Sequence, residues 1–489
     1  MARWNWPLLL VLSVFLAVYV LISFVNHWFF RTYALDLGLY TNAAWKYAHG
    51  IVADRSLFTW NHDPLLTDHF DLHLILWSPL TYLFGEWTLL VVQVAAALWG
   101  GVGMYRLAMA LTTDRTTSMF LMACCLGSFG MIQAFGFDFH SNVVAAMALP
   151  WYFLALFRRR KGLAWTWLFF MLVARENMGL WLGVTAFASI GINWMDSRMR
   201  RTLLLQGGTA LVWSAVVIVW VMPAMDGNKM NFQTLRYAHL GPDWAGIVKN
   251  FLRHPMHVLQ YFVVPVEDEE HLGNALKLEY YVALLASGAW ALLFRWPYLL
   301  MALSLLAQKM LSSSDAMSGL FYQYSVEFAG LLPIAMLDVL QRVRSWPWRH
   351  VLAFLGFGAV VGTTIYTLDL PLEHWSNAHG AHDRLRFYQA RHYRSKLDVA
   401  GVHRVLKRIP AGASISAVSG LVPHLAGRDR LYAFPIMHDD PEYLVFLKDE
   451  VPWPLTSAEF GQALDHYRSS PEWRLAVDSA GVLVFQRMP

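Results

Sequence analysis

Five short stretches of the sequence place ionisable side chains among apolar ones, where such groups can do chemistry. In residues 31–40, RTYALDLGLY, Asp36 is the only carboxylate in an apolar and aromatic setting. Partial desolvation raises the basicity of a carboxylate, and a general base needs this together with reach to a hydroxyl. An aspartate at the start of an amphipathic helix is also a common N-cap. The local sequence therefore leaves both roles open for Asp36.

Residues 135–142, FGFDFHSN, form the second stretch. Asp138 and His140 are two positions apart, so an extended backbone places both side chains on one side. They could bind a metal or hold a substrate hydroxyl. An ordinary polar turn is the alternative, although the interleaved phenylalanines favour packing in a pocket or an interface.

Charges within apolar runs mark the third and fourth stretches. Arg175 and Glu176 interrupt one run at ARENMG, and Lys309 closes another at QKMLSSS. A charge at mid-membrane costs roughly 2.5–3.5 kcal/mol, so such residues are candidates for function. Neighbouring helical residues do not face each other, so Arg175 and Glu176 should have separate partners. Alternatively, that pair lies in water at the outer end of a hairpin, and Lys309 reaches to the interface rather than holding a lipid phosphate.

The fifth stretch is HDPLLTDHFDLH, residues 62–73, which concentrates acidic and histidine side chains. Such groups can ligate zinc or manganese. No HExxH or paired CxxC spacing fixes a geometry here, so the alternative is a set of polar residues on a wet loop. The sequence therefore requires no cofactor, and a divalent metal would have its candidate ligands in His62, Asp68, His69, Asp71 and His73.

These stretches belong to a chain that is too apolar for a soluble protein. Of 489 residues, 57% are hydrophobic and 15% are charged, whereas a soluble domain carries about 25% charged residues. No basic block accompanies the net charge of +4, which excludes a nucleic-acid partner. Hydropathy predicts a mainly α polytopic membrane protein with about eleven spans, near residues 7–26, 87–111, 117–135, 141–157, 163–175, 177–193, 203–223, 279–294, 297–311, 322–340 and 350–369.

Lysine and arginine concentrate in the short loops on one side of these spans, as in the run from Arg158 to Lys161. The positive-inside rule then places the N-terminus in the cytoplasm, and an odd number of spans places the C-terminus outside. The predicted transmembrane domain is 1–370, with outer loops at 27–86 and 224–278. An outer domain, 371–489, follows. Loops of this length are usually functional.

The first outer loop carries an amphipathic pattern. Apolar residues recur at helical spacing from Leu35 to Tyr47, opposite Asn42 and Lys46. This pattern predicts a helix that lies in the membrane interface, and a second short apolar piece, LILWSPLTYLF, ends the loop. An ordinary amphipathic connector is the alternative.

The outer domain alternates short β-rich runs with helical patterns. The β-rich runs are SISAV, LYAF, YLVFL and VLVF, and the helical patterns include VAGVHRVLKRI and SAEFGQALDHY. This alternation predicts a small α/β domain. It contains neither GxGxxG nor a P-loop, so no motif supports nucleotide binding there.

Taken in order, the sequence resembles a large bacterial family of predicted membrane proteins that is related in fold to the class C glycosyltransferases. The matching pieces are LDLGLYTNAAWKYAHG, DHFDLHLILWSPLTYLF, GFDFHSNVVAAMALPWYFLA, VARENMGLWLG, PYLLMALSLLAQKMLSS, QYSVEFAGLLPIAML and PAGASISAVSGLVPHLAGRDRLYAFP. They cover most of the chain. The family often has Lys-Glu-Asp at the position where this chain has Arg175, Glu176 and Asn177, so the first and third residues differ.

The resemblance implies many spans, a large first outer loop and a polyprenyl-phosphate sugar as donor. Class C enzymes place an acidic base near the start of that loop, where this chain has Asp36. An acceptor hydroxyl would attack the anomeric carbon with inversion, Asp36 would take its proton, and Arg175 or Lys309 would stabilise the leaving lipid phosphate. The side chains that would orient the acceptor or the base are Asp138, His140, His69 and Glu176.

On this interpretation the protein lies in the bacterial inner membrane, contacts membrane lipid, and glycosylates an envelope glycan, lipid or protein. Two other classes stay open. A transporter or flippase of lipid-linked or small polar solutes would show internal repeats and Gly- or Pro-broken spans in matching halves. The sequence shows no such repeat, and its charges gather on one side rather than at the midplane. A non-catalytic relative would only bind lipid.

Overall fold

The computed structural model describes residues 6–60, 62–192, 195–226, 235–266, 273–370, 384–452 and 454–488. Contacts divide the chain into two compact units. We call Met1–Tyr19, Asp68–Asp71 and Gln93–Leu385 the helical unit, and Val20–Thr67, Leu72–Val92 and Arg386–Pro489 the sheet unit. Most of residues 27–86 thus belongs to the same unit as the C-terminal region.

The secondary structure is mostly helical. In chain order the α-helices with described bounds are α1 (Trp6–Trp28), α2 (Leu39–Ala48), α3 (His73–Trp77), α4 (Thr81–Phe84), α5 (Thr88–Thr112), α6 (Arg115–Gly127), α7 (Phe129–Gly136), α8 (Ser141–Ala146), α9 (Leu149–Phe157), α10 (Lys161–Leu172), α11 (Met178–Ser189), α12 (Arg200–Val216), α13 (Met222–Met225), α14 (Trp244–Arg253), α15 (Pro255–Leu259), α16 (Gly273–Ala286), α17 (Trp296–Met310), α18 (Asp315–Ser318), α19 (Val326–Leu340), α20 (Trp346–Asp369), α21 (Val399–Leu406) and α22 (Ser457–Ser469). The strands are β1 (Ile415–Ala417), β2 (Leu431–Ala433), β3 (Tyr443–Leu447), β4 (Trp473–Ser479) and β5 (Val482–Arg487).

Six helical stretches of the described chain are long and apolar enough to cross a membrane. They are Trp6–Trp28, His73–Thr112, Arg115–Gly136, Ser197–Met225, Asp315–Leu340 and Trp346–Asp369. Each covers a span predicted from hydropathy. The protein is therefore a multi-pass membrane protein, as expected.

The other predicted spans fall on shorter or broken helices, so the expected count of about eleven exceeds what the structure supports by length. Helices α10 and α11 have 12 residues each. At 1.5 Å per residue such a helix measures about 18 Å, against about 30 Å of hydrocarbon. Hydropathy windows do not register the breaks, such as Gly288 at φ +115° between α16 and the 3-10 helix Ala289–Phe294.

Close packing of α11 on α12 supports the turn that precedes α11. Gly179 and Gly183 are one turn apart on α11, and a Cβ atom at Gly179 would lie 2.1 Å from the carbonyl oxygen of Ala210 on α12. Small residues at this spacing let two membrane helices approach closely. The Ser214 hydroxyl of α12 also donates to the Glu176 carbonyl oxygen at 2.5 Å. The turn is thereby attached to α12.

The sheet unit contains a five-stranded mixed sheet in the order β2-β1-β3-β5-β4. Strand β1 pairs in parallel with β2 and β3, while β5 pairs antiparallel with β3 and β4. The four β-rich runs predicted from the sequence form β1, β2, β3 and β5, and the two helical patterns form α21 and α22. Strand β4 was not predicted, because this edge strand is mostly exposed and polar residues interrupt its pattern.

Helix α2 lies where the interfacial helix was expected, but it is covered by protein on both faces. Asn42 and Lys46 are buried, and the Asn42 amide donates to the carbonyl oxygens of Ala426 and Arg428 at 2.9 and 2.7 Å. Leu35, which was expected to face the membrane with the apolar side of the helix, lies before α2 and is 59% exposed. The polar side chains of α2 thus bond to the C-terminal region, and the interfacial position of α2 stays a prediction.

The second apolar piece of this loop does present an apolar surface. Helices α3 and α4 expose Ile75, Leu76, Tyr82, Leu83 and Phe84. Since an exposed apolar face of this kind suits a membrane interface, α3 and α4 fit the interfacial role better than α2.

Three histidines stack inside the sheet unit. The rings of His27 and His424 are 4.1 Å apart and nearly parallel, and His403 meets His424 edge-on at 5.4 Å. Burial, together with the neighbouring His27 and His403, holds the pKa of His424 well below its ordinary value. Burial also lowers the pKa of His403, as does Lys407, while a hydrogen bond to Trp28 and the charge of Glu86 partly offset this.

The histidine trio predicts that acid weakens the sheet unit. Above pH ~6.5 the histidines are neutral in both the folded and the unfolded chain, so no stability is lost. Below this pH, the histidines become protonated in the unfolded chain but stay neutral in the folded protein. The free energy of unfolding then falls by up to about 1.4 kcal/mol per pH unit for each such histidine. The thermal unfolding temperature in detergent should therefore fall between pH 7 and pH 5. The fall should be smaller in the His424→Gln variant. The exposed His254 provides the control, since His254→Gln should keep the parental pH dependence. An unchanged dependence in His424→Gln would contradict the role of the trio.

Candidate functional site

The turn between α10 and α11 carries a buried carboxylate, Glu176. Its two oxygens have different partners, because Oε1 lies 3.3 Å from His69 Nδ1 and Oε2 accepts from the Phe70 backbone N–H at 3.1 Å. Burial alone would raise the pKa of Glu176, but His69 and Arg175 lower it to about 2. Glu176 is therefore a fixed negative charge rather than a proton carrier near neutral pH.

A cavity of about 250 Å³ opens beside this turn in the helical unit. Three cations line it, namely Arg175 from the turn, Arg236 from the segment before α14, and Lys309 from the last turn of α17. His69, Glu176 and Glu327 line the same cavity, with aromatic rings that include Trp181, Tyr237, Trp244 and Tyr324. The arrangement suits a negatively charged group with a ring-shaped neighbour.

Lys309 is the least compensated charge in this cavity. Its side chain is 4% exposed, and its ammonium has no hydrogen bond or ion pair to the residues that the structure describes. It lies 5.6 Å from the centre of the Tyr324 ring, and Glu327 attracts it from beyond ion-pair distance. Since a buried charge without a close partner is costly, this position favours binding of an anion.

Lys277 on α16 has the opposite environment. It is 2% exposed, and its ammonium donates to the carbonyl oxygens of Tyr261, Val264 and Met310 at 2.5, 2.9 and 3.1 Å. All three of its protons are used within the protein. The contrast with Lys309 separates a structural lysine from a lysine that is available to a ligand.

Sequence reasoning identified Arg175, Glu176, His69 and Lys309, and the structure brings these four together around the cavity. It missed Arg236 and Glu327. Arg236 lies in a polar segment between helices, where an arginine is unremarkable. Glu327 was detectable, because it is a carboxylate in the first turn of the apolar helix α19.

Asp138 and His140 do not line this cavity. Asp138 forms an ion pair with Arg384 at 2.5 Å, and both side chains are about 95% buried. The Asp138 carbonyl oxygen accepts from Gln93 Nε2, and Gln93 Oε1 accepts from the His140 backbone N–H. This network holds the connection between α7 and α8, so the predicted role of the two side chains in orienting an acceptor stays a prediction.

The candidate metal ligands do not converge. Asp71 accepts from the Ser141 hydroxyl at 2.5 Å, while His69 contacts Glu176. In the sheet unit, His62 lies 3.5 Å from Asp54, and the His73 ring meets Trp77 edge-on. Among the described residues, no three acidic, histidine or cysteine side chains, Asp68 included, form a group that could hold a metal ion. The metal site suggested by residues 62–73 is therefore not supported, because the side chains serve separate partners.

Asp36 belongs to the sheet unit and is half-buried. Its backbone has φ 66° and ψ −92°, at a break just before α2, and Gly38 rather than Asp36 occupies the N-cap position of α2. A positive φ at this ψ lies outside the left-handed helical region that aspartate tolerates. The N-cap interpretation of Asp36 is thus wrong for α2, and its backbone is strained.

These features define a polytopic helical membrane protein. The chain shares its fold with ArnT from Cupriavidus metallidurans, whose crystal structure was determined bound to undecaprenyl phosphate. The TM-score is 0.53 at 12% sequence identity, over 99% of this chain and 98% of that chain. A family model described as "Predicted membrane protein (DUF2079)" matches residues 26–484, and the protein belongs to this family. None of the curated proteins matches it. The family predicted from the ordered motifs is confirmed.

The two buried lysines should respond oppositely to removal of their charge. Lys309→Met should leave the ligand-free protein as stable as the parent or more stable, on the order of 1 kcal/mol, because it removes a buried charge without a close partner. Lys277→Met should lower stability by on the order of 2 kcal/mol or more, because three carbonyl oxygens lose their donor. Thermal unfolding of both variants in the same detergent compares them. Strong destabilisation by Lys309→Met would show that its ammonium is structural.

Proposed function

We propose that the protein is a membrane glycosyltransferase that moves a sugar from a polyprenyl-phosphate donor to an acceptor on the outer face of the cytoplasmic membrane. The observation that carries this proposal is the Lys309 ammonium, which is buried without a close partner among the described residues and lines one cavity with Arg175 and Arg236. A lipid phosphate would supply the missing counter-charge. The shared fold with ArnT, which was crystallised with undecaprenyl phosphate, supports this choice of lipid.

The proposed reaction is a single displacement at the anomeric carbon. The acceptor oxygen forms a bond to this carbon as the bond to the phosphate oxygen breaks, which inverts the configuration. Asp36 takes the proton of the acceptor hydroxyl, and the lipid phosphate leaves as an anion. Arg175, Arg236 and Lys309 stabilise the charge that develops on the phosphate.

Glu176 and His69 position the cationic side of the cavity. Glu176 is ionised and accepts from the Phe70 backbone N–H, so residues 69 and 70 stay next to the turn that carries Arg175. Its charge also offsets part of the positive charge of the cavity. We assign these two residues to orientation rather than to proton transfer.

We assign the base to Asp36 on two grounds. Class C enzymes carry an acidic base near the start of the first outer loop, and the sequence resembles that family at this position. The backbone of Asp36 is strained, and such strain, about 1–3 kcal/mol, persists where the surrounding structure over-determines it and is frequent at active sites. The proposal keeps the predicted topology, with the N-terminus in the cytoplasm and the C-terminal domain outside.

Loss of a cavity cation should weaken lipid binding. Arg175→Ala and Lys309→Ala should each reduce the affinity for polyprenyl phosphate by about 1.5–3 kcal/mol, since each removes a charge-assisted contact. Lys249→Ala, at an exposed position of α14 outside the cavity lining, is the control and should bind as the parent does. Binding of polyprenyl phosphate in detergent or nanodiscs can be followed by native mass spectrometry. Unchanged affinity in both cavity variants would show that the lipid phosphate does not bind in this cavity.

Substitution of Asp36 tests the base. Asp36→Asn keeps the size and polarity of the side chain and loses the proton acceptor, so sugar transfer should fall by roughly two to four orders of magnitude. Folding and polyprenyl phosphate binding should survive. Transfer of a radiolabelled sugar from the lipid donor to acceptors in membrane extracts reports the rate. Transfer at the parental rate by purified Asp36→Asn would end this assignment.

A further inference from the structure

The formal charges of the cavity in the helical unit nearly cancel. Arg175, Arg236 and Lys309 contribute three positive charges, while Glu176 and Glu327 contribute two negative ones. With His69 counted as neutral, the described lining carries a net charge of 3 − 2 = +1. A phosphodiester carries one negative charge. The lining is therefore matched by one phosphodiester, and no net charge is left for the rest of the ligand to balance.

The two carboxylates of the cavity differ in what they already bind. Glu176 engages both oxygens, with His69 and with the Phe70 backbone N–H. Glu327 accepts one hydrogen bond, from Asn142 Nδ2 to Oε1 at 3.2 Å, and its Oε2 accepts none from the described residues. An ionised carboxylate has capacity for about four hydrogen bonds, so Glu327 retains most of its accepting capacity.

The position of Glu327 is unfavourable for phosphate binding alone. A carboxylate that lines a phosphate site repels the phosphate, and its attraction to Lys309 acts without a direct ion pair. Hydrogen-bond donors on the ligand would offset this repulsion, because an ionised acceptor forms strong hydrogen bonds. The amide oxygens of Asn142, Asn177 and Gln308 in the lining can accept as well, but Glu327 is the one carboxylate of the described lining with an oxygen that accepts no hydrogen bond.

We infer that Glu327 accepts hydrogen bonds from the hydroxyl groups of an uncharged donor sugar, while Arg175, Arg236 and Lys309 hold the phosphate to which that sugar is attached. This inference rests on the proposed function and names its substrate class, a polyprenyl phosphodiester of a neutral sugar. Glu327 is a specificity residue, and Asn142 is a positioning residue that holds one of its oxygens. A sugar with an ammonium group would leave the occupied cavity with a net charge of +1, so it should bind less well.

The test compares lipids with and without a sugar on the same variants. The probes are polyprenyl phosphate, a panel of polyprenyl-phosphate hexoses, and the same hexoses with one hydroxyl replaced by an amino group. Wild-type protein should bind at least one neutral hexose lipid at least tenfold more tightly than it binds bare lipid phosphate. It should also bind that hexose lipid at least tenfold more tightly than the amino form of the same hexose lipid. Glu327→Ala should lose that advantage of the hexose and bind bare lipid phosphate as well as the parent or better, because the repulsion is gone.

Two further variants keep the test decisive. Glu327→Gln preserves the shape of the side chain and should show an intermediate preference for the hexose lipid, because an amide oxygen still accepts but carries no charge. Asn142→Ala should reduce the preference for the hexose lipid while bare lipid phosphate still binds. Thermal unfolding of each variant shows that it is folded.

The outcomes separate the inference from the proposed function. If the Glu327 variants lose affinity for bare and for glycosylated lipid phosphate to the same extent, Glu327 only compensates the charge of Lys309. This result would overturn the inference. If the wild-type protein binds the amino-sugar lipids or bare lipid phosphate more tightly than the neutral hexose lipids, the claim that the donor sugar is uncharged would be overturned. Absence of binding by every polyprenyl phosphate, bare or glycosylated, would instead reject the proposed function and the inference with it.

Discussion

The buried negative charge of Glu176 is the constraint on which the helical unit depends at its cavity. A carboxylate with 4% exposure cannot stay ionised without partners, and each of its contacts brings a different part of the chain to the site. His69 and Phe70 come from the segment between α2 and α3, Arg175 from the same turn, and Ser214 of α12 holds the backbone of Glu176. This side of the cavity is thus assembled around a charge that must be satisfied, while Arg236 and Lys309 reach the cavity from other parts of the helical unit.

Glycine allows this assembly to be compact. The approach of α11 to α12 at Gly179 leaves no room for a Cβ atom, so the turn at the start of α11 lies directly against α12. A larger residue there would move Glu176 relative to Ser214, and its partners with it. The site therefore depends on helix packing as well as on electrostatics, which is usual where polar groups must be held within a membrane protein.

Rules that use only local sequence predicted the parts of this site that break local patterns. Arg175, Glu176 and Lys309 interrupt apolar runs, and such interruptions are visible in any hydropathy analysis. The strands β1, β2, β3 and β5 were visible for the same reason, as short apolar runs between turn residues. The partner of Asp138 was not visible, because Arg384 follows 246 positions later and neither residue marks the other. The covering of α2 by the C-terminal region was equally hidden, since an amphipathic pattern reports which residues are polar and not what they contact. Breaks within helices were missed because hydropathy averages over them.

The packing of α2 against the C-terminal region has a consequence for biosynthesis. Asn42 bonds to carbonyl groups 384 and 386 residues later in the chain. At about 5–20 residues per second, a ribosome needs roughly 20–80 s to make that distance. During this time the polar side of α2 has emerged without the surface that will cover it, and the sheet unit reaches its final form only after the last strand is released. Helix α2 therefore stays uncovered until the segment around residues 426–428 is made, and cellular quality control has that interval in which to act.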